Sequence, residues 1–412
     1  MKILYIHQYF NTYTDGGSSR SYYLSKALVD NGHTVEVITS HNQKHYKKSV
    51  IEGITIHYLP IYYDNQLGFS GRVYAFLKFV VKAYRLASTI KHVDLCYATS
   101  TPLTVGIIAC LLKQWRHIPF YFEVRDLWPQ APVEMEVIRN SYLKRMLFAL
   151  EKFIYRQADK IIALSPGIQQ SIVANTGDIS NVYIVPNMAD CDFFDFDGDA
   201  ALYGSLEGRM NKFTIAYFGA VGKVNFLESY MKVAKFFKAK NLTNVQFRII
   251  GKGNEWQTIQ DMALQNELSN VLFVPHSSKY ELRKMLAGID AVYISFAQLP
   301  VLETSSPNKF FDSLAAGKLC IVNTKGWIQG CIEEAGCGFY AEPGNPEQFY
   351  RKLLPYMASK RKLAEAKSAA RLLAEEQFSR EKLTGYFLSL FPPGAIEITA
   401  TAVPVEANEE MN

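Results

Sequence analysis

Twelve short apolar, β-branched runs punctuate this chain, and stretches with helical spacing separate most of them. Strands that alternate with helices imply a parallel sheet covered by helices on both faces. The first half supplies seven runs: Lys2–Ile6, Thr34–Thr39, Ile54–Leu59, Asp94–Ala98, Phe120–Val124, Lys160–Leu164 and Val182–Val185. The second half supplies five: Phe213–Phe218, Val245–Ile250, Val271–Val274, Ala291–Ser295 and Lys318–Asn323. At 412 residues, with 49% hydrophobic and 20% charged residues, the chain is long enough for two such α/β domains. The acidic, weakly periodic segment 187–210 reads as the junction between them. The expected limits are therefore 1–195 and 200–375. A helix over 376–391 is expected to cross back to the first domain, and 392–412 to be a disordered tail. Two doubly wound domains in tandem place a cleft between the carboxyl ends of their strands, where ligands of such sheets bind.

A net charge of +5 suits anionic partners such as phosphates or lipid headgroups and is too small to argue for nucleic acid. The six cysteines form no Cys-x-x-Cys pair and sit mostly in apolar runs, as reduced core thiols of a cytoplasmic protein do. The opening MKILYIHQYF reads as a first strand, and the most apolar stretch, 103–112, is far short of the ~20 residues that span a bilayer. The segments Arg72–Arg85 and Tyr142–Arg156 mix large apolar residues with Lys and Arg. They are domain helices packing one face, or an interfacial membrane surface.

The residues that carry chemistry cluster at predicted strand ends. In Thr304–Lys318 (TSSPNKFFDSLAAGK), Ser306 is placed to cap a helix and Pro307 to open it. Free first-turn amides and the helix dipole then hold an anion, with Thr304, Ser305, Asn308 and Lys309 around it. Asp312, one turn on, suits two hydroxyls of a ribose, and Gly317 ends the helix. In Tyr217–Phe226 a strand enters a turn where Gly219, Gly222, Lys223 and Asn225 let backbone and cation approach a phosphate, though the motif lacks the full phosphate-loop spacing. Gly251 and Gly253 mark either a plain strand-to-helix turn or a ligand contact. Glu123, Arg125 and Asp126 leave the carboxyl end of a buried strand, the favoured edge for function. The acidic run Asp195–Asp199 lacks the spacing of a calcium loop and reads as a solvated turn.

Taken together, the stretches DGGSSRSYYLSKALVDNGHTVEVIT, EVRDLWPQAP, YRQADKIIALSPGI, YIVPNMADCDFF, FRIIGKGNEW and SSPNKFFDSLAAGK resemble the large retaining glycosyltransferase family four. The likeness is greatest to bacterial members that add N-acetylated amino sugars such as N-acetylfucosamine during O-antigen and capsule assembly. The resemblance implies the GT-B fold, two Rossmann-like domains facing a cleft. It implies a UDP-sugar donor, no metal and no cofactor. It also implies a lipid-diphosphate-linked or oligosaccharide acceptor at the inner face of the cytoplasmic membrane. Gly16 and Gly17 should border the donor, the Ser306-Pro307-Asn308-Lys309 turn should hold its diphosphate, and Asp312 its ribose. Arg125 should hold the donor sugar, Asp126 orient or deprotonate the acceptor, and Lys223 offset the charge of the leaving diphosphate. The chain departs from the family in three places. The usual glutamate pair becomes Thr304, with Glu303 beside it, and Asp312. The arginine–lysine pair of the second Gly loop is reduced to Lys223, and Arg125 stands for a histidine. A nucleotide-sugar 2-epimerase and a non-catalytic nucleotide-sugar binder share the same architecture.

Overall fold

The computed structural model describes residues 1–13, 19–64, 67–196, 212–275 and 278–393. The first domain is an eight-stranded sheet in the order β3-β4-β2-β1-β5-β6-β7-β8. Its strands are β1 (Lys2–Ile6), β2 (Thr34–His41), β3 (Lys47–Ile51), β4 (Ile54–Pro60), β5 (Leu95–Thr99), β6 (Phe120–Val124), β7 (Lys160–Ala163) and β8 (Val182–Ile184). The second is six-stranded, in the order β11-β10-β9-β12-β13-β14, from β9 (Phe213–Ala220), β10 (Val245–Lys252), β11 (Val271–Pro275), β12 (Ala291–Ile294), β13 (Leu319–Val322) and β14 (Gly338–Tyr340). Every described pairing is parallel except β3–β4. All twelve expected strands are present. β3 was hidden because its KKSVI is a lysine-bearing, mostly exposed edge strand, and β14 because it has only three residues.

On one face of the first sheet lie α2 (Phe69–Thr89), α3 (Val105–Arg116), α5 (Ser141–Gln157) and α6 (Pro166–Thr176); on the other lies α1 (Arg20–Asp30). Leu24 and Leu28 of α1 are buried and Ala27 is half-buried. Ser19 precedes α1 without a side-chain cap bond, and Gly32, with φ +80°, turns the chain after it. The short α4 (Gln130–Glu134) follows β6. The second domain carries α7 (Leu227–Ala239), α8 (Trp256–Gln265), α9 (Lys279–Ala287), α10 (Asn308–Ala315), α11 (Trp327–Glu334), α12 (Pro346–Ala358) and α13 (Lys360–Leu373). Residues 360–390 do not form one helix. A π turn at Ala374–Phe378 interrupts them, and extended Ser379 caps α14 (Arg380–Ser389). α14 lies on the first domain, where Phe387 and Phe391 pack on Tyr97 and the Leu390 carbonyl accepts the Tyr121 hydroxyl at 3.1 Å.

The start of the expected linker is also built in. Phe194 is buried, and Ala189 forms a backbone bridge with Ser379. Residues 197–211, the end of the acidic run among them, lie outside the described residues, as does the tail from residue 394. The carboxyl edges of the two sheets face each other. Ser165, just after β7, donates its hydroxyl to the Thr304 carbonyl. Glu134, after β6, accepts the Val301 amide at 2.9 Å. Both Thr304 and Val301 belong to the segment that follows β12.

Two close approaches fix local sequence. Gly251 pairs with Gly219 across β10 and β9, and a Cβ on Gly251 would stand 1.9 Å from the Gly219 carbonyl oxygen. A Cβ on Gly253 would stand 2.0 Å from that of Val221. Backbone contact, rather than a ligand, is thus sufficient reason for both glycines. Gly222 has nothing within 4 Å of its Cβ position.

Glu123 is not a cleft residue. It is fully buried and accepts Arg20 Nε and Nη2 at 3.1 and 3.0 Å and the Tyr97 hydroxyl at 2.7 Å. Replacing Glu123 by Ala strands the buried Arg20 guanidinium and should cost about 3–5 kcal/mol in denaturant unfolding. A loss below about 1 kcal/mol would show that the pair does not hold the domain. Gly251→Ala should cost about 1–3 kcal/mol or more through the carbonyl clash, while Gly222→Ala stays within about 0.5 kcal/mol of the parent. Equal stability of the two variants would remove the close-approach argument.

Candidate active site

Helix α10 brings the two strongest sequence signals of the second domain together. Lys309, in its first turn, reaches the Gly219–Asn225 turn after β9. Its Nζ lies 2.9 Å from the Tyr217 hydroxyl and 3.0 Å from Asn225 Oδ1, and 4.2 Å from the centre of the Tyr217 ring. Phe296 adds a second ring at 5.7 Å. No carboxylate meets this ammonium among the described residues, and burial pushes its pKa down to about 7. Asn225 is free to hold it because it stands ahead of the helix that follows β9. A 3-10 turn at Lys223–Asn225 and a left-handed Phe226 (φ +44°) precede α7. Gly219, at φ +123°, turns the chain beside the Lys309 stem, where a Cβ would stand 3.6 Å from the Lys309 Cε. Lys223 is exposed on the outside of the turn.

The opening of α10 differs from its expected form. Pro307, with ψ 138°, is the N-cap itself, so Ser306 does not cap the helix and Pro307 is not its first residue; no side chain caps it. The reason lies in the first domain. Asn187 Nδ2 donates to the Ser306 carbonyl at 2.6 Å, which holds Ser306 in the domain contact, buried, one residue too early to cap. Thr304 donates its hydroxyl to the Val301 carbonyl at 2.7 Å, and its side chain crowds Gly167 of the first domain. The Ser305 carbonyl accepts the Trp327 indole at 2.8 Å. Asn308 is exposed at the start of the helix.

Asp312 lies one turn beyond Asn308. It is partly open to solvent, yet closely enough surrounded that desolvation raises its carboxyl to about 6, with Lys279 opposing and Asp190 adding to the shift. Its carboxylate accepts no hydrogen bond among the described residues. Lys279, whose proximity the sequence did not signal, is held by Asp190 at 3.2 Å and lies 4.8 Å from the Phe193 ring centre.

Across the interface, the carboxyl ends of β1, β5 and β6 bring His7, Ser100, Arg125 and Asp126 to one edge. The Arg125 amide donates to Ser100 Oγ at 3.0 Å. Asp126 faces solvent while protein surrounds it, and desolvation lifts its carboxyl above the usual range against the pull of Arg125. His7, missed by sequence reasoning, is buried, and burial with the nearby Arg125 charge holds it neutral. Gly16 and Gly17 lie outside the described residues. Among those described, no group of three or more His, Cys, Asp or Glu is placed to hold a metal ion, and no helix is long and apolar enough to cross a membrane.

The arrangement matches known proteins over most of its length. Residues 14–193 match the family Glycosyltransferase Family 4, and residues 205–373 match Glycosyl transferases group 1. A probable glycosyltransferase of Pseudomonas aeruginosa, WbjE, is 21% identical over 64% of this chain and 66% of its own length, so the likeness spans about two thirds of that relative. Sucrose-phosphate synthase from Thermosynechococcus elongatus superposes with a TM-score of 0.75 at 15% identity, over 94% of this chain and 98% of its own. HepE of Anabaena, solved with UDP-glucose, gives 0.67 at 16% identity, over 95% of this chain and 100% of its own. The chain thus pairs a Glycosyltransferase Family 4 domain with a Glycosyl transferases group 1 domain in the two-domain GT-B architecture.

Proposed function

We propose that the chain is a retaining glycosyltransferase that moves an N-acetylated amino sugar from a UDP-sugar to a lipid-linked or oligosaccharide acceptor in bacterial surface polysaccharide assembly. The observation that carries this reading is Lys309, a half-buried ammonium with no carboxylate partner among the described residues, beside a helix start that no side chain caps. Such a place is built for a dianion, since the free amides and the cation both point to negative charge. The Anabaena protein solved with UDP-glucose supports a nucleotide-sugar as that anion, and the name of the Pseudomonas relative supports transfer.

In this reading Lys309 and the amides of Asn308 and Lys309 receive the diphosphate, and Lys223 adds charge from outside the turn. Asp312 accepts ribose hydroxyls, and bare Gly222 lets the backbone come close. Arg125 holds the donor sugar. As the bond from the anomeric carbon to the diphosphate breaks, positive charge grows on the ring, and the acceptor hydroxyl attacks from the face that the diphosphate leaves. Asp126, its carboxyl raised, orients that hydroxyl or takes its proton. The protein itself offsets the leaving charge, so neither metal nor cofactor is required. The enzyme works at the inner face of the cytoplasmic membrane, where a lipid-linked acceptor is held.

Two tests follow. Lys309 is half-protonated near pH 7 in the free protein, and a bound diphosphate raises its pKa, so binding takes up a proton above that pH. UDP affinity measured by calorimetry should therefore fall as pH rises from 7, by up to about tenfold per unit. Lys309→Met should weaken UDP by about 1.5–3 kcal/mol at pH 7 and flatten the profile; Lys309→Arg should flatten it while keeping affinity. An unchanged slope in Lys309→Met would place the diphosphate elsewhere. Transfer should also persist in EDTA; activity lost on chelation and restored by manganese would reject protein-only charge neutralisation.

A further inference from the structure

Helix α3 packs between α2 and α5 on the outer face of the first sheet. These three helices hold ten Lys and Arg residues and a single acid, Glu151, which is buried against the Tyr155 hydroxyl. Three of the cations are engaged locally: Arg72 and Arg116 on backbone carbonyls and Lys113 on Asp159. The other seven have no ion-pair partner among the described residues. Globular surfaces intersperse both signs; here helical spacing leaves one sign.

The same face exposes large apolar side chains at helical spacing, three, four or seven residues apart. On α2 the outward stripe is Tyr74, Leu77 and Val81, leading to Arg85. On α5 it is Tyr142, Met146 and Phe153, flanked by Arg145, Lys152 and Arg156. Between them Trp115 of α3 is 72% exposed. Charge alone would suit any polyanion. Rings and aliphatic chains interleaved with lysine and arginine suit a surface with anionic headgroups above hydrocarbon.

We infer that the outer face of α2, α3 and α5 docks on an anionic lipid bilayer, with Trp115, Tyr142 and Phe153 as its apolar anchors. This rests on the proposed membrane site of action and names its surface and its lipid chemistry. Each cation near such a surface is worth about fivefold in partition, so three together are worth on the order of a hundredfold.

The test is sedimentation with vesicles of phosphatidylcholine alone and of phosphatidylcholine with phosphatidylglycerol. The full chain should pellet with the anionic vesicles at low salt and stay in solution with the neutral ones. The triple variant Arg145→Glu/Lys152→Glu/Arg156→Glu should lose on the order of a hundredfold or more in partition, and Trp115→Ser/Phe153→Ser should lose more than about tenfold. Circular dichroism and UDP binding, unchanged in both variants, verify the fold. Equal binding to both vesicle types, or wild-type partition in the triple variant, would overturn the docking face. Loss on charge reversal without loss in Trp115→Ser/Phe153→Ser would assign the face to a soluble polyanion and overturn it too. Vesicle binding by a protein that fails to bind UDP would instead sink the nucleotide-sugar reading and leave the surface standing.

Discussion

The buried pair of Arg20 and Glu123 sets the geometry on which the cleft depends. Arg20 stands at the start of α1 and Glu123 in β6, and both are buried. A guanidinium taken out of water must satisfy its donors in place, and Glu123 meets only two of them. Two more go to the carbonyls of Val185, at 2.9 Å, and Pro186, where the chain leaves β8 toward the second domain. The next residue, Asn187, grips the Ser306 carbonyl just ahead of α10. A charge in the first core is therefore tied, through Val185, Pro186 and Asn187, to the helix start in the second.

That helix start explains why its neighbours look as they do. An ammonium held by a phenol, an amide oxygen and a ring face is poorly compensated, since none of these carries full negative charge. Folding tolerates it by depressing its pKa. Asp312, three residues on, is displaced the opposite way by the same cause. Lys309 lacks a carboxylate that would fix its charge, and Lys279 opposes the shift of Asp312 without cancelling it. Helices α9 and α12 of the same domain contrast with α10: Ser278 and Glu281 form a complete capping box on α9, and Asn345 caps α12.

The strands were legible in the sequence because a parallel sheet buried on both faces writes itself as continuous β-branched runs. The elements that were not legible lack that pressure: β3 is a lysine-bearing edge, and β14 is too short to show a pattern. At the site, residue types were readable but assignments depended on distant partners. Glu123 looked like a cleft residue because it ends an apolar strand; only its partner Arg20, 103 positions away, makes it a core ion pair. Ser306 looked like a cap by local rules, and a contact with Asn187, 119 positions away, overrode them. Lys309 was visible as a cation near a helix start, while its seat on Tyr217 and Asn225 depended on how two strand ends meet. Gly251 and Gly253 were ambiguous because a glycine that admits a neighbouring carbonyl and one that admits a ligand are identical in sequence.

The altered cap has a chemical consequence of its own. A serine at the N-cap would spend its hydroxyl on a first-turn amide and occupy the space ahead of the helix. Proline has no such oxygen and no amide of its own, so the first turn of α10 keeps its donors and the approach to them stays open. Ser306 meanwhile serves the domain contact, so the position that leaves the amides free is also the one that ties the helix to the first domain. A movement of the two domains would shift the amides and Lys309 as one unit with respect to Arg125 and Asp126. The start of α10 and the carboxyl edge of the first sheet are thus set against each other by the Asn187–Ser306 bond, together with Ser165 on the Thr304 carbonyl and Glu134 on the Val301 amide.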